Sequence, residues 1–516
     1  MLFNSYSFIF FFLPTALIGF YLLNRNGTTR RGLTWLVFAS LFFYAWWNPV
    51  YLILMLGSIG FNYLIGRTLA LSFESRGSAS KPLLTLGIAA NLGLLGYFKY
   101  ANFFVSTVNA AFPTGIELPP IVLPLAISFF TFQQITYLVD AWSGDAHQHD
   151  FLHYCLYVTF FPQLIAGPIV RSSEILPQYT RASSSLFKPE NLAVGLTLFF
   201  VGLFKKVILA DGISVYSTPL FHAAEAGTVI PFFDAWLGAI AYTFQLYFDF
   251  SGYSDMAIGL AQMFGFKLPM NFNSPYKANS IIEFWRRWHM TLSRFMLDYL
   301  YIPLGGNRKG KFRHYVNLLI AMLLGGLWHG AGWTFVLWGG LQGVYLGINH
   351  AWERLREQLG INAASRLYLC GARMLTFLAI VWAWVLFRAE TLQGAAEVYR
   401  GMIGMNGFVL DPSWIRKLGG AIQWTESVGV TFDTEIINQD RALTRSFGLL
   451  LIAWLLPNTV QWMQRFQPVL RMPEEWKLFV RFLWKPSTAW AIFILLGAVY
   501  TIFQMTTVSE FLYFQF

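Results

Sequence analysis

The chain has 516 residues, of which 56% are hydrophobic and 18% aromatic, while only 12% carry a charge. Soluble domains carry about twice that charged fraction, and a mean hydropathy of +0.49 excludes an ordinary soluble protein. A net charge of +10 would suggest a nucleic-acid partner in a soluble protein, but in a membrane protein it reflects Lys and Arg in cytoplasmic loops, so we expect none.

Apolar runs follow one another along the chain and predict a single all-α polytopic membrane domain over 1–516, with about 10 to 12 spans of roughly 20 residues each. The runs lie at 2–23, 33–66, 83–108, 119–142, 151–170, 191–210, 232–264, 314–350, 367–387, 446–463 and 487–508. Prolines and glycines inside several runs predict broken or re-entrant helices. The two cysteines, Cys155 and Cys370, lie in apolar runs and are expected to be packing residues, and we predict no metal site.

The run 232–264 contains two carboxylates, Asp249 and Asp255, within the stretch "TFQLYFDFSGYSDMAIG". Ionisable groups at such depth usually line a cavity or pair with one another. We expect these two to fix helix packing rather than to do chemistry.

The segment 267–313 contains nine basic and two acidic residues, which places it in the cytoplasm. Written as one helix, the stretch "EFWRRWHMTLSRFM" has an apolar face at spacings of three and four. That face consists of Trp285, Trp288, His289, Leu292, Phe295 and Met296. The pattern predicts an amphipathic helix at the cytoplasmic interface that turns His289 toward the bundle.

The apolar stretch 314–350 has basic segments on both sides, so it is expected to enter and leave the membrane on the same side. His329 lies near the midpoint of this predicted hairpin, within "LLGGLWHGAGWTF". A titratable side chain is costly in an apolar stretch, which makes His329 a candidate for function. A single buried histidine is nevertheless also common as a packing residue.

The next span leads to 388–445, which has six basic and seven acidic residues and is predicted to be an extracytoplasmic loop. A return span reaches the basic segment 464–486, and the last span leaves the C-terminal tail 509–516 outside. The sequence leaves open in which direction the spans between residues 100 and 230 cross the membrane.

Two motifs resemble those of the membrane-bound O-acyltransferase family, and within it the alginate O-acetyltransferase branch. They are "FWRRWHMTLSRFMLDYLYIPLGG" at 284–306 and "GGLWHG" at 325–330. The resemblance extends over essentially the whole chain, through "SYSFIFFFLP", "FPQLIAGPIVR", "FDFSGYSDMAIG" and the terminal "FLYFQF". It implies a helical bundle with re-entrant segments and a central tunnel across the membrane.

By this resemblance His329 is the essential histidine and His289 the second active-site histidine. A neutral imidazole suits the task, because acyl transfer to a hydroxyl needs a base for the hydroxyl proton. His289 or glycine N–H groups near 325–332 are candidate donors to the oxyanion. The residues expected to line or support the tunnel are Trp285, Trp288, Trp328, Asp249 and Asp255. No bound cofactor is expected; acetyl-CoA is the expected donor substrate. Candidates for its phosphates are Arg286, Arg287, Arg294, Arg308 and Lys309.

The family's D-alanylation relatives work with a small partner whose C-terminus has a similar aromatic motif. The resemblance therefore makes Tyr513 a candidate acyl carrier, although an aromatic belt at the interface explains the same residues. It also implies an inner-membrane location, an extracytoplasmic serine-hydrolase-like partner and a polysaccharide export complex. The expected acceptor is an exported polysaccharide such as alginate, and the alternatives are cellulose, peptidoglycan or teichoic acid.

Two other classes of function stay open from the residues alone. A proton- or ion-coupled transporter would use Asp249, Asp255 and the histidines as an ion path, although the chain has no repeated halves. An inactive scaffold of an export complex is the third alternative, and the intact histidine motifs count against it.

Overall fold

The computed structural model describes residues 1–25, 29–145, 150–180, 186–433, 436–472, 482–505 and 509–512, and these residues are mainly helical. In chain order the helices are α1 (Leu13–Asn24), α2 (Thr29–Ala45), α3 (Val50–Arg76), α4 (Lys81–Leu95), α5 (Ala101–Ala111), α6 (Ile127–Ser143), α7 (Phe151–Thr159), α8 (Phe161–Leu164), α9 (Ser172–Tyr179), α10 (Pro189–Phe204), α11 (Asp211–Glu225), α12 (Phe232–Met263), α13 (Ile281–Arg287), α14 (Met290–Met296), α15 (Lys311–His329), α16 (Trp333–Gln358), α17 (Arg366–Arg388), α18 (Leu392–Met402), α19 (Ser413–Leu418), α20 (Ile422–Ser427), α21 (Gln439–Leu455), α22 (Thr459–Trp462) and α23 (Thr488–Gln504).

Shorter helical turns join several of these helices. The π-helical turns are Phe8–Phe12, Gly96–Tyr100, Lys205–Ala210 and Leu297–Tyr301, and the 3₁₀ turns are Pro275–Lys277, Gly419–Ala421 and Gln464–Phe466. Two three-residue strands, β1 (Phe408–Leu410) and β2 (Val430–Phe432), pair in parallel with Phe408 opposite Val430.

Several helical stretches suit a membrane. Among the described residues, those long and apolar enough to cross one are Val50–Arg76, Lys81–Ala111, Pro189–Glu225 and Arg366–Arg388; Phe8–Asn24 and Thr488–Gln504 are shorter apolar helices. Large apolar side chains on these helices are exposed, as a lipid-facing surface requires, for example Ile53 and Phe503. The predicted all-α membrane class is confirmed, while the number of spans and the tunnel stay predictions.

The chain divides into two compact units. The first comprises the described parts of Met1–Phe204, Gly252–Asn271 and Thr459–Gln515. In it α1 packs on α2, α3 and α4 pack on α6, and α10 packs on α23. The predicted break near Asn48–Pro49 is present, since α2 ends at Ala45 and Pro49 precedes the first residue of α3.

A pair of buried amides joins α3 to α4 in the first unit. Asn91 Nδ2 donates to Asn62 Oδ1 at 2.6 Å, and Asn62 Nδ2 donates to Asn91 Oδ1 at 3.2 Å. Polar side chains that hydrogen-bond across helices stabilise membrane bundles, by about 0.6 kcal/mol on average.

The second unit comprises the described parts of Lys205–Ser251 and Phe272–Asn458. Its centre is the hairpin of α15 and α16, against which α17 packs. The hairpin is tight because Gly339 lies against α15: a Cβ there would overlap the carbonyl oxygen of Met322. The predicted hairpin over 314–350 is therefore present, with its turn directly after His329.

Candidate active site

His329 is the last residue of α15, immediately before the turn at Gly330. Its side chain is buried, with 5% of the residue exposed. The imidazole lies among aromatic rings: its centroid is 4.9 Å from that of Trp328 and 5.2 Å from those of Trp338 and Phe387. The hairpin thus holds this ring at its closed end, inside the second unit.

His289 lies at a break between two short helices, where one continuous amphipathic helix was predicted. Helix α13 ends at Arg287 and α14 begins at Met290, while His289 has a left-handed backbone with φ 40° and ψ 53°. The prediction of one helix is therefore wrong. The helical spacing of apolar residues was real, but burial of the histidine ring prevailed over the local helical preference.

The break buries His289 completely, and its ring packs edge-on against Phe250 at 4.8 Å. Phe272 and Trp328 lie at 6.4 and 6.3 Å. The two imidazole centroids are 6.5 Å apart, at an interplanar angle of 63°. The structure therefore brings together the two histidines that the motifs indicated, in one aromatic-walled site of the second unit.

Three predicted tryptophans surround this pair in different ways. Trp328 contacts both imidazoles, whereas Trp288 is buried against Trp384, with centroids 5.0 Å apart. Trp285 is half-buried, and its indole Nε1 donates to Gln342 Oε1 at 3.2 Å. Trp328 is thus a direct neighbour of the histidines. Trp285 and Trp288 lie one ring further away, against Trp338 and Phe272 respectively.

Burial determines the charge of His289. Desolvation lowers the pKa of this imidazole to about 3, so the ring is neutral near pH 7. A neutral imidazole has one donor and one acceptor nitrogen, so it can either take a proton or hydrogen-bond to a developing oxyanion.

The glycines of the turn are less suited to donate to an oxyanion than the sequence suggested. The N–H of Gly332 bonds to the carbonyl of Gly330 at 3.0 Å, and the N–H of Gly330 points to the carbonyl of Gly326 at 3.4 Å. Both N–H groups therefore serve the turn itself, which leaves the His289 side chain as the candidate donor.

Asp249 and Asp255 have separate partners. In the second unit Asp249 Oδ1 forms an ion pair with Lys206 Nζ at 2.7 Å, and in the first unit Asp255 Oδ2 accepts from Thr459 Oγ1 at 2.6 Å. Both contacts are typical of packing roles, and the expectation that these carboxylates fix helix packing stays a prediction.

Lys206 is a residue that the sequence reasoning left unassigned. It is buried in the π-helical turn Lys205–Ala210, and its Nζ also lies 2.9 Å from Asp211 Oδ1. The sequence does contain a signal for it, since Lys205 and Lys206 interrupt an apolar run. The ion pair anchors Asp249, and the next residue, Phe250, is the ring that packs on His289.

The basic candidates for phosphate binding differ in their surroundings. Arg287 forms an ion pair with Glu283 at 2.7 Å and donates from Nη1 to the carbonyl of Asn273 at 3.3 Å. Arg286, Arg308 and Lys309 are exposed, and Arg294 is half-buried. Tyr513, the candidate acyl carrier, lies outside the described residues.

The fold and the site define a helical membrane protein with a buried pair of histidines. A model of the membrane-bound O-acyltransferase family matches residues 141–387, which include both histidines. A peptidoglycan O-acetyltransferase of Helicobacter pylori is 44% identical over 80% of this chain and 81% of its own length.

Two further relatives have different substrates in their names. A probable alginate O-acetylase of Pseudomonas aeruginosa is 44% identical over 80% of this chain and 76% of its own length. A teichoic acid D-alanyltransferase of Streptococcus thermophilus is 29% identical over 46% of this chain and 59% of its own length. The chain belongs to the membrane-bound O-acyltransferase family. It is a multi-pass membrane acyltransferase, and the resemblance of its motifs is confirmed.

Proposed function

We propose that this protein moves an acetyl group from acetyl-CoA in the cytoplasm to an exported polysaccharide on the other side of the inner membrane. The observation that carries the proposal is the buried pair of imidazoles, 6.5 Å apart, at the closed end of the hairpin. Two imidazoles at this spacing can act on the hydroxyl and on the carbonyl of one acyl-transfer reaction.

In the proposed mechanism His329 accepts the proton of the acceptor hydroxyl as its oxygen attacks the thioester carbonyl. His289 donates a hydrogen bond to the oxyanion that forms there. The carbon–sulfur bond then breaks, the new ester remains on the acceptor oxygen, and the thiolate takes the proton from His329. The left-handed backbone of His289 and the packing of Phe250 hold its ring in position for this step.

The donor side of the site is proposed from charge. Arg286, Arg308 and Lys309 are exposed and free to meet the phosphates of acetyl-CoA in the cytoplasm, with Arg294 beside them in the same segment. Arg287 is held by Glu283 and would contribute its charge rather than a direct contact.

The acceptor is proposed from the relatives. Alginate and peptidoglycan appear in the names of proteins that are equally similar to this chain, so the acceptor is an exported polymer such as one of these. Cellulose or a teichoic acid would be acetylated by the same chemistry. An extracytoplasmic serine-hydrolase-like partner, within an export complex, would complete the transfer to the sugar hydroxyl.

The proposal is tested with purified protein in detergent and radiolabelled acetyl-CoA, with no ion gradient. His329→Ala and His289→Ala should each lower acetyl transfer by at least about a hundredfold, since general acid–base groups contribute this much. His222→Ala is the matched control, because His222 is exposed on α11. If both active-site variants are folded and transfer acetyl at the wild-type rate, the two-histidine mechanism is wrong. If the wild-type protein transfers no acetyl group in detergent but supports a gradient-dependent ion flux once reconstituted in vesicles, it is a transporter instead.

Tyr513 is proposed as a covalent relay on the extracytoplasmic side. Its phenol would take the acetyl group as an ester and pass it to the partner's serine, because a phenolate is a better leaving group than an alkoxide. Tyr513→Phe keeps the aromatic ring and removes the hydroxyl. Loss of transfer to the polymer in this variant supports the relay, while full activity would assign the tail to the membrane interface.

A further inference from the structure

Gln342 is a completely buried polar residue on the face of α16 that is directed toward the histidine site. Its Oε1 accepts from the indole N–H of Trp285 at 3.2 Å. Within the described part of the chain, no protein atom accepts a hydrogen bond from its Nε2. A buried amide N–H group without an acceptor is costly, so such groups in folded proteins usually meet a ligand or water.

The orientation of this side chain is determined by its neighbour. An indole N–H can only donate, so the amide atom that faces Trp285 must be the oxygen. The Nε2 group of Gln342 therefore points away from Trp285. Trp338, one helical turn earlier on the same face, also has a buried indole N–H with no acceptor among the described residues.

The position of Gln342 relative to His329 follows from the hairpin. Trp338 touches both the His329 ring, at 5.2 Å, and the Trp285 ring, at 6.0 Å. Gln342 is four residues further along α16, about 6 Å toward the open end of the hairpin. That open end has four basic residues, Lys311, Arg313, Arg354 and Arg356, and two acidic ones, Glu353 and Glu357. Gln342 thus lies between the reacting end and an end of the hairpin with an excess of positive charge.

A thioester donor with a pantetheine arm matches this arrangement. In such a donor a short ethylene link separates the thioester from the first amide, and phosphate follows at the far end of the arm. With the thioester at His329, the first amide carbonyl would reach the level of Gln342, while the phosphates approach the basic end of the hairpin.

We propose that Gln342 donates a hydrogen bond from Nε2 to an amide carbonyl of the donor's pantetheine arm. The arm is supplied either by coenzyme A or by the phosphopantetheine group of a carrier protein. This inference rests on the proposed acyl transfer from a thioester. It makes Gln342 a donor-binding residue, and Trp285 the residue that positions it.

The test compares two acetyl thioesters with each full-length enzyme, S-acetyl-pantetheine and S-ethyl thioacetate, which has no amide. In Gln342→Met the kcat/KM for S-acetyl-pantetheine should fall about five- to tenfold through KM, as expected for one lost hydrogen bond. The kcat/KM for S-ethyl thioacetate should stay within about twofold, because that donor never uses the amide. Trp285→Phe keeps the ring but frees the amide, so it should give a smaller loss with the same selectivity.

Gln439→Met is the control for a buried glutamine with a purely structural role, since Gln439 Nε2 donates to Asp234 Oδ2 at 2.8 Å. This variant should not change the ratio of the kcat/KM values for the two thioesters. An equal loss on both thioesters in Gln342→Met and in Trp285→Phe overturns the inference and leaves the proposed function standing. If the wild-type enzyme uses no thioester, the proposed function fails and the inference fails with it. If the inference holds, separate assays with acetyl-CoA and with an acetylated carrier protein identify which of the two supplies the arm.

Discussion

At His289 a left-handed backbone and complete burial occur together in one residue. Non-glycine residues rarely adopt this backbone, and the cost is of order 1 to 3 kcal/mol unless the surroundings enforce it. Here Phe250, Phe272 and Trp328 surround the ring. The strain is concentrated at a residue of the site, as is typical of functional positions, and the aromatic packing offsets it.

The burial of His289 predicts a pH dependence of stability. Its pKa is about 3 in the folded protein, below the ordinary value of 6.5, so the unfolded chain binds a proton that the folded chain does not. The contribution of this neutral ring is present above pH 6.5 and is lost as the pH falls toward 3, by up to about 1.4 kcal/mol per pH unit. Thermal unfolding in detergent between pH 7.5 and 4.5 should therefore show a shallower decline for His289→Gln than for the wild type.

Exposed His222 provides the control for this experiment, because its side chain is in contact with water in the folded protein. His222→Gln should follow the wild-type pH profile. Parallel profiles for the wild type and His289→Gln would mean that His289 is hydrated and charged at mildly acidic pH, which contradicts its burial.

At the scale of the elements, the hairpin of α15 and α16 depends on glycine. Gly339→Ala would place a Cβ on the carbonyl oxygen of Met322, and a backbone atom cannot move aside as a side chain can. We expect a loss of about 2 kcal/mol in stability, as in other overpacked sites, together with lower activity because His329 ends the same hairpin. Scanning fluorimetry of the purified protein measures the stability.

Gly347→Ala is the matched control on the same helix. The nearest atom to a Cβ at Gly347 is in the Tyr315 ring at 3.9 Å, which is an ordinary contact. This variant should be unchanged or slightly more stable, because alanine favours a helix by up to about 1 kcal/mol over glycine. Equal stability of the two variants would show that the helices separate easily and that close packing does not position His329.

The hairpin and the short helices show how far the sequence could predict these elements. The hairpin followed from the basic segments at both ends of an apolar stretch, which are a local signal. The break at His289 could not be predicted from local signals, because the ring that packs on His289 belongs to Phe250, which is 39 positions away in the chain. The anchoring of Asp249 by Lys206 likewise needed the fold, although both residues stood out as charges in apolar runs.

At the scale of the whole molecule, the distribution of charge along the chain predicts on which side of the membrane each segment lies. The segment 267–313 is strongly basic, whereas 388–445 is nearly balanced, and this difference predicts opposite sides. The proposed donor site needs the first segment in the cytoplasm. The proposed relay to an extracytoplasmic partner likewise needs the C-terminal tail on the other side.

Single cysteines on these two segments test the predicted topology. Cys155 is buried, as expected of a packing residue, and can remain, whereas Cys370 is exposed, so the expectation that it packs inside the protein is wrong. Cys370 is therefore first replaced by Ala. Arg308→Cys and Ser413→Cys both introduce a thiol at an exposed position. A maleimide that does not cross membranes should label Ser413→Cys in intact cells, and should label Arg308→Cys only after the inner membrane is opened. The reverse pattern would place the basic segment outside, where no acetyl-CoA is present, and would overturn the proposed direction of transfer.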